Sequence, residues 1–240
     1  MKVSVFFPAY NEEGNIEKVV RRAVEVAEGL FEDFEIIIVN DGSADRTGEI
    51  AYGLSVENPR IRVIHHSQNR GYGGALKSGL YHARYDWICY TDADGQFDFS
   101  EITKFLPHTK EADLIIGFRQ KRFDTLARTI NSKLWGLLVF LLFGLRVKDR
   151  ACGFKLIKKE VMETIPKLEA DGAVTEDELL IKAKRAGFKF AEVGVSHYPR
   201  RAGRQTGANP KVILTAFKEI FKLWRKLVFS AILGSKTCLN

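Results

Sequence analysis

Cysteine is scarce in this 240-residue chain: there are three, and no two have CxxC spacing. Their number and spacing argue against a disulfide scaffold and a structural zinc site, and favour a reducing compartment. The five histidines show no metal spacing either. Only six prolines occur in a composition that is 45% hydrophobic and 28% charged, which excludes a disordered or collagen-like protein. The apolar residues 1–7 end at Pro8 and are soon followed by acids, so no secretory signal is expected.

Long apolar runs are also lacking. The segment Trp135–Leu145 has eleven residues without a charge, whereas about 20 are needed to cross a bilayer. It is expected to be either a buried helix or one that lies in the membrane interface. Lys133, Arg146 and Lys148 flank it.

Positive charge is concentrated at one end of the chain. The net charge is +7, and residues 196–240 hold nine Lys or Arg and one acid, so the remainder is near neutral. Such a distribution predicts a local anionic partner, which could be a phosphate, a nucleic acid or a membrane surface.

Short apolar runs alternate with helical patterns over residues 1–120. This alternation predicts an α/β fold with a mostly parallel sheet and helices on both faces. Strands are expected at residues 3–7, 34–39, 61–65, 87–91 and 114–118, and helices at 15–30, 45–56, 74–84 and near 100–108. The second half predicts helices at 126–145, 176–186 and 209–233, and a strand near 188–195. Ligands of such sheets bind beyond the carboxyl ends of the strands.

The segment Asp92-Ala93-Asp94-Gly95-Gln96 directly follows an expected strand. Two carboxylates two residues apart, with a nearby amide oxygen, are hard ligands suited to Mg²⁺ or Mn²⁺, which would neutralise a diphosphate. The alternative is an ordinary acidic turn.

Two other strand ends are polar: Pro8-Ala9-Tyr10-Asn11-Glu12 and Val39-Asn40-Asp41-Gly42-Ser43. Tyr10 could stack on a nucleobase, Glu12 could bind a ribose hydroxyl, and Asp41 could bind a base or ribose. A helix cap and an Asp-Gly turn are the plain alternatives. Three polar strand ends on one sheet favour a ligand site.

Arginines follow in places that suit phosphate, although each could equally lie on a solvated face. They are Arg119, Arg128, Arg200, Arg201 and Arg204. The cluster Glu176-Asp177-Glu178 offers a general base or simply favourable charge at a helix start. The glycine-rich segment 71–74 lacks the last glycine of a dinucleotide fingerprint, because Leu76 stands there, so a nucleotide-redox enzyme is disfavoured.

The last expected helix is amphipathic and basic. Phe217, Phe221 and Trp224 lie on its apolar side. Its basic residues are Lys211, Lys218, Lys222, Arg225 and Lys226. Such a helix can lie on an anionic membrane, or it can pack on the domain with its lysines solvated.

Five segments in order give the chain a specific resemblance. They are Pro8-Ala9-Tyr10-Asn11-Glu12, Val39-Asn40-Asp41-Gly42-Ser43, residues 69–75 (NRGYGGA), Asp92-Ala93-Asp94-Gly95-Gln96 and residues 149–155 (DRACGFK). The chain resembles family 2 glycosyltransferases of the GT-A (Rossmann-like) fold. It is most similar to the polyprenyl-phosphate, dolichyl-phosphate mannose synthase-like branch.

This resemblance implies an inverting, metal-dependent transfer from a nucleotide-sugar to a polyprenyl phosphate, with Mg²⁺ or Mn²⁺ as cofactor. Asp92, Asp94 and Gln96 would hold the metal. The donor residues implied are Pro8, Tyr10, Glu12, Val39, Asp41, Asp92, Ala93, Asp94, Gln96 and Arg119. Arg128, Arg200, Arg201 and Arg204 would hold acceptor or phosphate.

The catalytic residues implied are Asp94, Glu176 and Asp177, and the acceptor class stays open. A lipid phosphate is already ionised and needs no strong base. Glu176 and Glu178 fit the acidic pattern of the polyprenyl branch, whereas Asp177 fits relatives that activate a sugar hydroxyl.

Residues 1–207 are expected to form the transferase domain, with a nucleotide-sugar half (1–120) and an acceptor half (121–207), and residues 208–240 the amphipathic helix. The protein is expected on the cytoplasmic face of the membrane as a peripheral protein, without nucleic acid. Membrane access would come from residues 135–145, the terminal helix or a membrane partner protein. The alternatives are transfer to a saccharide, glycolipid or small-molecule hydroxyl, and a non-catalytic membrane-surface module.

Overall fold

A computed structural model of the chain describes residues 1–121, 126–172, 174–200 and 210–234. The strands are β1 (Lys2–Ala9), β2 (Asp33–Asn40), β3 (Ile61–His65), β4 (Trp87–Tyr90), β5 (Leu114–Arg119), β6 (Lys155–Lys158) and β7 (Phe190–Val195). The helices are α1 (Ile16–Leu30), α2 (Thr47–Glu57), α3 (Gly71–His82), α4 (Leu126–Phe143), α5 (Lys159–Thr164), α6 (Val174–Arg185) and α7 (Pro210–Gly234). Two short 3-10 helices, Phe99–Lys104 and Leu106–Lys110, follow β4.

The strands form one seven-stranded sheet in the order β3-β2-β1-β4-β6-β5-β7. Neighbouring strands are parallel except where β6 pairs antiparallel with β4 and with β5. The expected mostly parallel α/β sheet is therefore confirmed. Because β1, β2 and β4 run the same way, their carboxyl ends lie at one edge of the sheet.

Apolar residues on both faces of the sheet explain why β1 and β2 are almost fully buried. Phe7 belongs to a core that includes Ile16 and Val20 of α1, and Phe6 belongs to the opposite core with Leu76 of α3. A strand alternates its side chains between faces, so β1 contributes to both cores. Strands covered on both sides are the usual elements of a parallel sheet.

Two elements differ from the sequence expectations. The strand β6 and the helix α5 that follows it were not predicted, because four residues beginning and ending in lysine do not look like a strand. The residues near 100–108 form two 3-10 helices instead of the expected helix, with Pro107 at the start of the second. Proline has no amide hydrogen to continue a helical ladder.

The two apolar helices of the second half are only partly buried. In α4, Val139 is buried, while Leu134, Leu137 and Leu141 are exposed. In α7, Ile220 and Leu223 enter the core. The apolar side expected for α7 is thus divided, because Phe217 and Phe221 stay exposed. None of the helices in the described ranges is long and apolar enough to cross a membrane.

Candidate active site

The three polar segments expected to bind a ligand meet at the carboxyl edge of the sheet. Ala9 and Asn40 pair at the ends of β1 and β2, and Phe6 pairs with Tyr90 at the end of β4. Tyr10 is 40% exposed, whereas Glu12 and Asp41 are buried. The side chains of Pro8, Val39 and Ala93 are buried too, and the role of these three residues in donor binding stays a prediction.

Asp92 and Asp94 place two carboxylates just beyond β4. Burial first, and then the negative charges of Asp94 and Glu176, raise the pKa of Asp92 to about 7. Tyr72 also donates a hydrogen bond to Asp92, with 3.3 Å between its hydroxyl oxygen and Oδ1. The negative charge of Asp94 thus favours protonation of Asp92, and a cation between the two carboxylates would hold Asp92 ionised.

The surroundings of Asp92 fit a divalent metal that is shared with a ligand. Gly153 lies so close that a Cβ added there would be 2.2 Å from Asp92 Oδ2. This explains the glycine in the 149–155 segment, since any side chain would displace the carboxylate. Among the described residues, no three His, Cys, Asp or Glu side chains form a metal cluster. Mg²⁺ is commonly held by one or two carboxylates with waters and substrate phosphates.

Gln96 links this site to the segment that precedes the basic loop. The side-chain Nε2 of Gln96 donates to the Tyr198 backbone carbonyl at 2.9 Å. The backbone carbonyl of Gln96 accepts from Tyr198 N at 2.8 Å. The Arg200 guanidinium pairs with Glu12. Burial raises the pKa of Glu12, while Asn15 and Arg200 act in the opposite direction. Residues 92–96, 198–200 and Glu12 are therefore linked across the edge of the sheet.

Glu176 lies beneath the site. Its Oε1 accepts hydrogen bonds from Lys155 Nζ at 2.5 Å and from the Tyr90 hydroxyl at 2.8 Å. Lys155 is fully buried and also donates to the Cys152 carbonyl at 2.6 Å. Sequence reasoning missed Lys155, because its partner is 21 positions away. This buried pair fits a supporting role behind Asp92, and the catalytic role of Glu176 stays a prediction.

Asp177, in the first turn of α6, accepts a hydrogen bond on each of its oxygens. Trp135 Nε1 donates to Oδ2 at 2.7 Å, and Arg150 Nη1 donates to Oδ1 at 2.8 Å. Burial raises the pKa of Asp177, and the Arg150 charge counteracts this. One position before Arg150, Asp149 accepts two hydrogen bonds from the Arg119 guanidinium, at 2.7 and 2.9 Å. Arg119, expected at a phosphate, is therefore already held by a carboxylate.

Three expected phosphate-binding arginines have no described side-chain position. Arg201 and Arg204 lie outside the described residues. Arg128 belongs to α4, but its side chain is not among those described. Their role in binding phosphate therefore stays a prediction, as do the boundaries expected between the two halves and the terminal helix.

Comparison of the sequence with known proteins identifies the family of this chain. The family model "Glycosyl transferase family 2" matches residues 4–165. Glycosyltransferase AglD of Haloferax volcanii is 35% identical over 210 residues, which cover 83% of this chain and 34% of AglD. The dolichyl-phosphate beta-glucosyltransferase of Saccharomyces cerevisiae is 32% identical, and the match covers 81% of this chain and 66% of that protein. The undecaprenyl-phosphate 4-deoxy-4-formamido-L-arabinose transferase of Salmonella choleraesuis is 30% identical, and the match covers 84% of this chain and 61% of that protein. The chain thus spans between about a third and two thirds of the length of these relatives.

Solved structures confirm the expected GT-A-like fold. Glucosyl-3-phosphoglycerate synthase from Mycobacterium tuberculosis superposes with a TM-score of 0.67 at 22% identity, covering 85% of this chain and 73% of that one. A structure of the same synthase with Mg²⁺ and uridine-diphosphate gives a TM-score of 0.65 at 21% identity, with 85% and 72% covered. Identity this low establishes the fold alone.

Proposed function

Because the chain belongs to glycosyl transferase family 2, we propose that it transfers a sugar from a nucleotide-sugar to a polyprenyl phosphate. An acceptor phosphate oxygen would attack C1 of the sugar from the face opposite the leaving group. The bond from C1 to the diphosphate oxygen would break, and the nucleoside diphosphate would leave with the electron pair. The observation that carries this proposal is the pair Asp92 and Asp94 at the carboxyl end of β4.

The donor would lie across the carboxyl ends of β1, β2 and β4. The exposed ring of Tyr10 offers a surface on which the nucleobase could stack. The Glu12 carboxylate could bind a ribose hydroxyl, and the Asp41 carboxylate could bind the base. Asp92 and Asp94 would hold Mg²⁺ or Mn²⁺, whose charge would stabilise the leaving diphosphate. Lys155 and Glu176, buried behind Asp92, would keep that carboxylate in place.

A cleft of about 370 Å³ beside α4 suits an acceptor that is both anionic and apolar. Arg146, Lys148 and Arg150 supply positive charge, and Phe140 and Leu145 are among its apolar lining residues. Arg150 also holds Asp177, so the cleft adjoins that carboxylate. A lipid phosphate presents both features, and relatives of this chain are named for dolichyl-phosphate and undecaprenyl-phosphate.

The contacts of Asp177 favour an acceptor that needs no base. Each of its oxygens already accepts a short hydrogen bond, and one of the donors is a cation. A phosphate is ionised at neutral pH, whereas a sugar hydroxyl needs a base to remove its proton. Transfer to a hydroxyl remains the second candidate, because Asp177 adjoins the cleft through Arg150 and could serve such an acceptor as a base.

The exposed side chains of α4 and α7 would bring the protein to an anionic membrane surface, on the cytoplasmic face. Trp135 of α4 packs edge-on against Phe217 of α7, with ring centroids 5.2 Å apart. Exposed leucines of α4 and exposed phenylalanines of α7 therefore lie near this junction, and Lys218 and Lys222 are exposed on α7. Apolar side chains beside lysines are typical of helices in the membrane interface.

The test is a panel of nucleotide-sugars offered with Mg²⁺ or Mn²⁺ and a polyprenyl phosphate, scored for sugar extracted into organic solvent. The proposal expects at least one donor to give lipid-linked sugar, and removal of the metal with EDTA to abolish it. Transfer only to a saccharide or small-molecule hydroxyl would favour the second candidate. Donor binding without any turnover would indicate a non-catalytic module.

A further inference from the structure

His66 joins a buried chain of hydrogen bonds that ends at Asp41. Its Nδ1 lies 2.6 Å from Asp41 Oδ1, and its Nε2 lies 2.8 Å from Ser78 Oγ in α3. A carboxylate can only accept, so Nδ1 carries the proton, and in the neutral ring Nε2 accepts from the serine hydroxyl. The arrangement resembles a Ser-His-Asp triad. Ser78 is buried in the helix, however, and is not placed to attack a substrate.

The backbone near His66 packs closely around the Asp41 carboxylate. His66 N donates to the Asn40 carbonyl at 2.9 Å, and Arg70 N donates to Asp41 Oδ1 at 2.8 Å. Gly42 has a φ of +65°, and a Cβ added there would be 2.5 Å from the backbone of residues 68 and 69. The loop after β3 therefore lies directly against the end of β2, and a side chain at position 42 would separate them.

The hydrogen bonds from His66 and Arg70 reach the same oxygen of the Asp41 carboxylate. Both hydrogen bonds to its carboxylate end on Oδ1, and no described residue donates to Oδ2. An imidazole fixed on Oδ1 orients the whole carboxylate, because its two oxygens share one plane. We infer that His66, backed by Ser78, is a positioning residue. It would hold Asp41 so that Oδ2 can accept a hydrogen bond from an N–H group of the donor's nucleobase.

This inference deepens the proposed function and rests on it, since it concerns the nucleoside part of the same donor site. His66 does not touch the donor and acts through Asp41. Removing it would loosen recognition of the base and leave the diphosphate contacts at Asp92 and Asp94 unchanged. A merely structural histidine would affect both parts of the site together, or neither.

The experiment measures binding in the presence of Mn²⁺ by calorimetry. UDP, GDP, CDP and ADP are compared with inorganic pyrophosphate, which has no base. His66→Leu removes both ring nitrogens, whereas His66→Asn keeps an N–H near the position of Nδ1. His108→Leu is the matched control, because His108 is a surface histidine paired with Glu111. Circular dichroism and thermal melts establish that each variant is folded at the temperature of the titration.

For the nucleotide that the natural protein binds best, His66→Leu is expected to weaken affinity about tenfold or more, the scale of a lost hydrogen bond to a charged group. Pyrophosphate affinity should change less than twofold. His66→Asn should recover most of the loss, and His108→Leu should bind normally. Added to Asp41→Asn, His66→Leu should cause little further loss, because the two residues act together.

Normal nucleotide affinity in His66→Leu would overturn the inference and leave the proposed function standing. An equal loss for nucleotide and pyrophosphate would also overturn it, because the effect would then be general. Failure of the natural protein to bind any of the four nucleotides would overturn the proposed function, and this inference with it.

Discussion

At the residue scale, the carboxylate of Asp94 gives the most direct test of the metal site proposed for the donor. Asp94→Asn keeps the shape of the side chain and removes one anionic ligand of the metal. Transfer is expected to fall at least about 10²-fold, the scale of a lost electrostatic stabiliser, with no loss of thermal stability. Rates are measured at saturating metal. Asp86→Asn, an exposed change at the opposite end of β4, is the control. Near-normal turnover of Asp94→Asn would refute the assignment.

Asp177 separates the two acceptor classes. Asp177→Asn leaves the Arg150 guanidinium, which is 9% exposed, without its carboxylate. Breaking a buried pair in this way costs about 3–5 kcal/mol of stability, so the melting temperature should fall. Transfer to a polyprenyl phosphate should nevertheless retain most of its rate below that temperature. A loss of about 10²–10⁴-fold with intact donor binding would identify Asp177 as a base and favour a hydroxyl acceptor.

The sequence motifs identify some residues of the candidate site and not others. The motifs identified Asp41, Asp92 and Asp94, because each follows an apolar strand within a few positions. They did not identify Lys155 or His66, whose partners lie 21 and 25 positions away in the chain. Such pairings follow from tertiary packing, and no local pattern encodes them.

At the scale of elements, the strands with strong apolar runs were predictable and β6 was not. β2 is apolar nearly throughout, so its pattern alone predicts a strand covered on both faces. β6 begins at Lys155, whose buried ammonium group is paired with Glu176. The burial of that lysine depends on a helix later in the chain. The sequence of residues 155–158 alone therefore predicts no strand.

The buried side and the exposed side of helix α7 lead to different predictions for stability. Ile220 is fully buried, while the adjacent Phe221 is 46% exposed. Ile220→Ala should lower the free energy of unfolding by about 2–5 kcal/mol, as is usual for a core deletion. Phe221→Ala should lower it by much less. Denaturant unfolding of the two variants measures this, and equal losses would contradict the packing of α7.

The basic side of α7 is expected to bind anionic vesicles, with an affinity that decreases as salt is added. Replacing Lys218, Lys222, Arg225 and Lys226 by Gln should release the protein in a vesicle sedimentation assay. Each basic group near an anionic surface contributes about 1 kcal/mol. Turnover on a short, soluble acceptor should persist, because the donor site is elsewhere.

The control for this release replaces four exposed basic residues within residues 1–120 by Gln: Lys18, Arg46, Lys104 and Lys110. That variant should stay on the vesicles. Binding that is insensitive to both salt and the α7 substitutions would exclude a membrane role for this helix.

At the scale of the whole molecule, one edge of the sheet would bind the donor, and the cleft beside α4 would bind the acceptor phosphate. The segment 149–153 connects the two regions. Gly153 lies against the Asp92 carboxylate, and Arg150 pairs with Asp177 and lines the cleft. In the proposed reaction, such an arrangement would bring an acceptor oxygen to the sugar carbon and leave the donor's phosphates with the nucleoside.

The most direct test is therefore mass spectrometry of both products after reaction of an accepted nucleotide-sugar with a polyprenyl phosphate. The expected products are a nucleoside diphosphate and a lipid that has gained the sugar and still carries a single phosphorus atom. Release of a nucleoside monophosphate, with a lipid diphosphate sugar, would contradict attack at the sugar carbon. A lipid without any added sugar, after donors and metals had been varied, would contradict the polyprenyl-phosphate acceptor itself.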